Sequence, residues 1–333
     1  MRKLLPAALL LTNVGYAQTT TPGETNMETT AATGVVTSKP ESIVNDVFVG
    51  SSFFQGTFSG RTNYNLISAE SEAKQGNSEG EAEAAELELS ATGKVWANEN
   101  VAVMAGVDYS NQSFVPEGQA AILTNNFTPR VNALFNLGGL ELNTFVSSTF
   151  TTVGGTDEEK ETGIVEGSYN NQTLGASVLA NRLTAGLTYK TQIAETLESD
   201  VAGTFDKTVV EPSVVTVYGK YEVIPGWTAG LALAQNSFDV EDSVSTEDFE
   251  NFVSTAVSSE LAINQVRSEV IIGTYNGYYK GSEDTEVLEV KTYTGYSINS
   301  DVEVGLNVNV NAIDNEFIEG TEVAYGLSGS VTL

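Results

Sequence analysis

The sequence predicts an all-β chain, folded as a transmembrane antiparallel up-and-down β-barrel of about fourteen strands. Three observations predict it. Extended segments alternate apolar residues with small or polar ones along most of the chain. The connections between them alternate between short and long. No apolar run reaches the roughly 18 residues that a helical span requires, which excludes helices but not strands as membrane-crossing elements.

The chain begins with Arg2 and Lys3 before the apolar run Leu4 to Leu11, followed by Gly15-Tyr16-Ala17. Charged start, short greasy middle and small-residue end make residues 1–17 a secretory signal peptide, cleaved before Gln18. Residues 18–42, rich in Thr, Ala, Gly and Ser, read as a flexible periplasmic leader. The barrel is expected over 43–333, although Ile43 to Phe54 suits an extra strand, a short helix or a plug equally well.

Candidate strands then fall at 57–71, 83–96, 100–112, 127–137, 140–153, 168–180 and 182–194. They continue at 213–223, 228–241, 250–263, 266–280, 284–298, 302–314 and 321–333. Fourteen satisfies the even-number rule of such barrels, as would twelve or sixteen. The segment 302–314 is the cleanest: Val302, Val304, Leu306, Val308 and Val310 face one way, Glu303, Gly305, Asn307, Asn309 and Asn311 the other. Connections after even-numbered strands are tiny and use turn residues, such as Gly138-Gly139, Asn181 and Ile224-Pro225-Gly226. Connections after odd-numbered strands are mostly longer and polar. Both chain ends fall on the short-turn side, which is therefore expected to be periplasmic.

In the last segment, Val323, Tyr325, Leu327, Val331 and Leu333 share one side, and Glu322, Ala324, Gly326, Ser328 and Ser330 the other. An oily face against a small-polar face suits a strand between lipid and a wet lumen. This ending resembles the closing strand of Gram-negative outer-membrane β-barrel porins, with Leu333 where Phe is commoner. The resemblance implies a place in the cell outer membrane and a channel function.

Aromatic residues agree with that topology. Tyr109, Phe150, Tyr189 and Tyr278 fall on oily faces near the loop ends, and Tyr221, Trp227 and Tyr296 near the turn ends. Two such belts place amphipathic rings at the lipid headgroups. Trp96 falls on the wrong parity for its strand, so it either begins the turn or marks a bulge.

The chemistry available is narrow. The chain has no His and no Cys, which removes imidazole bases, His-containing triads, thiolate nucleophiles and thiolate zinc sites. No phosphate-cradling glycine motif is present, so neither an enzyme nor a cofactor is expected. The 44 acidic residues against 15 basic ones, a formal charge of −29, make nucleic acid an unsuitable partner.

Where the charges fall matters more. Arg61, Lys94, Asp108, Arg130, Glu141, Lys190, Lys220, Glu222, Arg267, Glu289, Lys291, Glu303 and Glu322 lie within strands, mostly on the small-polar parity. A Lys or Arg facing lipid at midplane costs about 2–4 kcal/mol, so these residues are expected to line the pore. They would knit the wall by ion pairs, select solutes by charge, or both. Acidic loop clusters at 157–159, 195–200 and 239–250 are read as solvated, with divalent cations at most loosely held. The expectation is a porin passing small hydrophilic solutes passively with cation preference, monomeric or trimeric, in contact with outer-membrane lipid. The alternative is a structural or adhesive barrel acting through its acidic loops. A transporter of hydrophobic solutes is disfavoured, because no oily patch stands out on the inward parity.

Overall fold

The computed structural model describes residues 58–73, 78–116, 122–155, 165–199, 209–241, 252–276, 286–314 and 318–332. The signal peptide, the leader, Ile43 to Phe54, Tyr278, Leu333 and the side chains of the three acidic clusters lie outside the described residues. Among the described residues fourteen strands are formed: β1 (Phe58–Ala73), β2 (Ser78–Ala97), β3 (Val101–Pro116), β4 (Ile122–Asn136), β5 (Leu140–Gly155), β6 (Val165–Ala180) and β7 (Leu183–Ser199). Then come β8 (Val209–Ile224), β9 (Trp227–Glu241), β10 (Phe252–Ile263), β11 (Val266–Asn276), β12 (Glu286–Ser297), β13 (Val302–Asp314) and β14 (Ile318–Thr332).

Each strand pairs antiparallel with its sequence neighbours, and β1 pairs with β14, so the sheet closes without an edge. The closing ladder runs from Ser59 opposite Thr332 to Ala73 opposite Ile318. Every predicted segment is a strand. The main differences are at loop ends: β2 begins at Ser78 and β4 at Ile122, five residues before the alternation starts. There the chain has left hydrocarbon, so the ladder continues on backbone hydrogen bonds while polar residues erase the apolar rhythm.

The short turns close where the sequence supplies positive φ. Gly138, Gly139 and Gly226 have φ of 75°, 104° and 84°, and Asn181 and Asn264 have 57° and 55°. Two other turns are held by an asparagine side chain. Asn98 Oδ1 accepts from the amides of Asn100 (2.9 Å) and Val101 (2.8 Å). Asn299 Oδ1 accepts from those of Asp301 and Val302, both at 2.8 Å.

The outer wall is oily. Tyr64, Leu66, Leu87, Leu174, Leu187, Val217, Leu231, Val257, Ile272, Leu306, Tyr325 and Leu327 are all exposed on it. Tyr109, Phe150, Tyr189, Tyr221, Trp227 and Tyr296 point outward as well. Trp96 is explained by a register shift between Lys94 and Trp96 against β3, a bulge that turns the ring to the outside. Among the described residues, outward carboxylates on strands are confined to loop ends, as at Glu70, Glu83, Glu286, Asp314 and Glu319. A lipid-facing belt without ionised side chains is what a spanning barrel requires.

Candidate functional site: the inner wall

Cross-strand register carries each inward position round the barrel. One rung reads Glu303 (β13), Ser330 (β14), Arg61 (β1), Ser90 (β2), Asp108 (β3) and Thr128 (β4). Continuing such rungs puts all thirteen sequence-predicted residues on the inner face. Inward placement does not make them equivalent. Glu289 is only 2% exposed and Lys190 9%, so these two are covered by neighbours and engaged rather than open to solute.

Several of the thirteen pair with each other or with residues that sequence reading did not select. Arg130 Nη1 lies 3.1 Å from Asp108 Oδ2, and its other terminal nitrogen donates to Thr92 Oγ1. The arm passes over Gly106, where a Cβ would sit 2.8 Å from Arg130 Nε. Lys220 Nζ lies 3.7 Å from Glu269, and Arg267 bridges Glu260 (3.7 Å) and Glu303 (3.5 Å). Glu260, unselected earlier, becomes part of the wall because its β10 position is in register with Glu269 of β11.

The seam sector, β13 to β2, carries a network of amides and carboxylates beside a buried apolar rung of Ala324, Ile67 and Ala84. Asn307 donates to Asn65 Oδ1 (2.9 Å), and Asn65 donates to Glu86 (2.9 Å). Asn63 donates to Glu88 (2.6 Å), and Asn311 to Glu322 (2.8 Å). The Asn307–Asn65 bond crosses β14 at Gly326, where any Cβ would collide with both amide groups. Glycine there lets β13 and β1 join hands over the closing strand. The signal was legible only in hindsight, since it needs the register to show that three separate residues meet.

Opposite the seam, the wall changes character. Tyr218, Ala232, Ala234, Ala256 and Ile271 form a buried apolar cluster with Val214 packed against it, spanning β8 to β11. All are on inward positions. The expectation that no oily inner patch exists is therefore corrected. Small alanines alternating with larger outward residues such as Leu231 and Leu233 carry little apolar signal of their own; they become a patch only when adjacent strands align them. Tyr218 lies over Gly186 of β7, where a Cβ would meet its ring and hydroxyl. Phe145 covers Gly175 in the same way, so inward rings lie flat on glycine instead of filling the lumen.

No family model matches this sequence, and no curated protein does. Solved structures do. The CymD monoaromatic hydrocarbon channel superposes with a TM-score of 0.56 at 11% identity, over 84% of this chain and 89% of that one. A Pseudomonas aeruginosa FadL homologue gives 0.56 at 7% identity, over 83% and 90%. The Pseudomonas putida toluene transporter TodX gives 0.55 at 9%, over 84% and 90%. At such identities the likeness is one of fold. The class follows from that fold and the oily outer wall: a closed fourteen-stranded transmembrane β-barrel with the architecture these channels share.

Proposed function

We propose that the chain is an outer-membrane channel passing small hydrophilic solutes passively, with a preference for cations and no chemical step. The inner wall carries this reading. Ten described carboxylates face inward (Glu86, Glu88, Asp108, Glu141, Glu222, Glu260, Glu269, Glu289, Glu303 and Glu322) against seven cations, among Asn, Ser, Thr and Gly. Such a wall stays solvated, and its excess of negative charge lowers the energy of a passing cation. Reconstitution into a planar bilayer tests both parts. Stepwise conductance is expected, with a reversal potential of cation-selective sign in a salt gradient. An electrically silent barrel removes the channel, and an anion-selective sign removes the cation preference.

One observation favours a second reading, the passage of small apolar solutes along the β8–β11 strip. Barrels of this fold include proteins named as monoaromatic hydrocarbon channels and a toluene transporter. Ala232, Ala234 and Ala256 are 0–1% exposed, so a solute reaches this strip only after it is uncovered, and the polar reading ranks first. Toluene uptake by vesicles carrying the barrel, reduced by Ala234→Asp, would reverse that order.

A further inference from the structure

Among the described residues two cations of the inner wall, Arg61 and Lys94, form no ion pair, and of the two only Arg61 rests on an aromatic ring. Arg61 faces the lumen from β1 and is exposed there. Its side-chain contacts are Asn63 Oδ1, at 3.3 Å from Nε, and the ring of Tyr293, whose centroid lies 5.8 Å from the guanidinium carbon. Its rung neighbours, Ser90 and Ser330, are both short. The carboxylate nearest by register, Glu88 one inward position along β2, accepts from Asn63 at 2.6 Å; the next along the rung, Asp108 and Glu303, stand two strands away, roughly 10 Å across a sheet. Both are already engaged. Asp108 holds Arg130 at 3.1 Å, while Glu303 accepts from the Tyr293 hydroxyl at 2.6 Å and from Arg267 at 3.5 Å. Among the described residues, no carboxylate lies within salt-bridge distance of Arg61.

The support beneath this arginine is fixed. Tyr293 lies on Gly295 and Gly305, where a Cβ would come within 2.5–2.6 Å of its ring or hydroxyl. Arg267 stacks on the same ring at 5.0 Å and is neutralised by Glu260 and Glu303. One guanidinium is thus tied to the protein and the other is left with its fork open, beside two serine positions and a rigid aromatic shelf. A guanidinium fork matches a carboxylate through two parallel charge-assisted hydrogen bonds.

We propose that Arg61, positioned by Tyr293, is a docking station for the carboxylate of a small organic acid inside the barrel. It is a local exception in a wall that otherwise repels anions, and it rests on the reading of the chain as a channel. Because it predicts equilibrium binding, the test needs no conduction. Saturation-transfer NMR with benzoate on the full-length barrel in detergent should show signal for the native protein. Arg61→Gln should weaken it at least fivefold, and Arg61→Lys, which keeps the charge but not the fork, should fall between. Benzyl alcohol, with the same ring and no charge, should give no Arg61-dependent signal. Heat-modifiable gel mobility verifies that each variant is a folded barrel. Equal benzoate signal in native protein and folded Arg61→Gln, or none in native protein, overturns the proposal. A silent bilayer recording alongside Arg61-dependent binding would instead overturn the channel reading alone.

Discussion

Two sectors of the same inner wall, built by the same alternation, are held by different contacts. At the seam, Asn63, Asn65 and Asn311 reach Glu88, Glu86 and Glu322 across neighbouring strands, and Asn307 donates to Asn65, 242 residues away in sequence. Across the barrel, Tyr218, Ala232, Ala234, Ala256 and Ile271 gather into an apolar cluster over four strands, wider than the buried rung of Ala324, Ile67 and Ala84 at the seam. The difference teaches that small residues on an inward face do not specify a wet lumen. What matters is the residue they meet on the next strand.

The largest disturbance expected is at the seam. Gly326→Leu places a branched side chain where Asn65 and Asn307 meet, and should cost about 3 kcal/mol. The urea midpoint for unfolding from lipid vesicles would fall accordingly. The same substitution leaving the midpoint unchanged would mean the clasp does not hold the barrel shut.

A polar group in the opposite sector should behave differently. Ala232→Asn buries an amide among apolar side chains and should destabilise by about 2 kcal/mol in the same assay. Truncating the seam with Asn65→Ala leaves Asn307 and Glu86 each without that partner, for about 1–2 kcal/mol. If Ala232→Asn proves neutral, the β8–β11 strip is wetter than its burial indicates and the contrast between sectors weakens.

Smallest should be a change in function without a change in fold. Charge reversal of Glu322, which accepts from Asn311 at the wall, should move the permeability ratio toward anions by about twofold. Reversal potentials read it directly. A shift of the opposite sign would mean that the inner wall does not set selectivity.

Much of the architecture was legible because lipid enforces a simple rule. Val304, Leu306, Tyr325 and Leu327 face hydrocarbon, so their parity announces itself in the sequence, and each tight turn carries its Gly or Asn. Loop ends were less legible: β2 begins at Ser78, five residues before the apolar rhythm of its sequence starts. The inward charges were found by parity alone. Their grouping was not, because Arg267, Tyr293 and Arg61 come from β11, β12 and β1 and meet through register, not through sequence spacing.

By itself the sequence determined the barrel class, the turns, the oily outer wall and the inward direction of most charged residues selected for the pore, while the structure decided fourteen strands over twelve or sixteen. A period of two is local and needs only the solvent on each side to be known. Only the tertiary structure decided which inward residues are neutralised, which are buried, and where alanines of separate strands coalesce. Those outcomes depend on closure, which brings β1 beside β14 and fixes each residue's lateral neighbours.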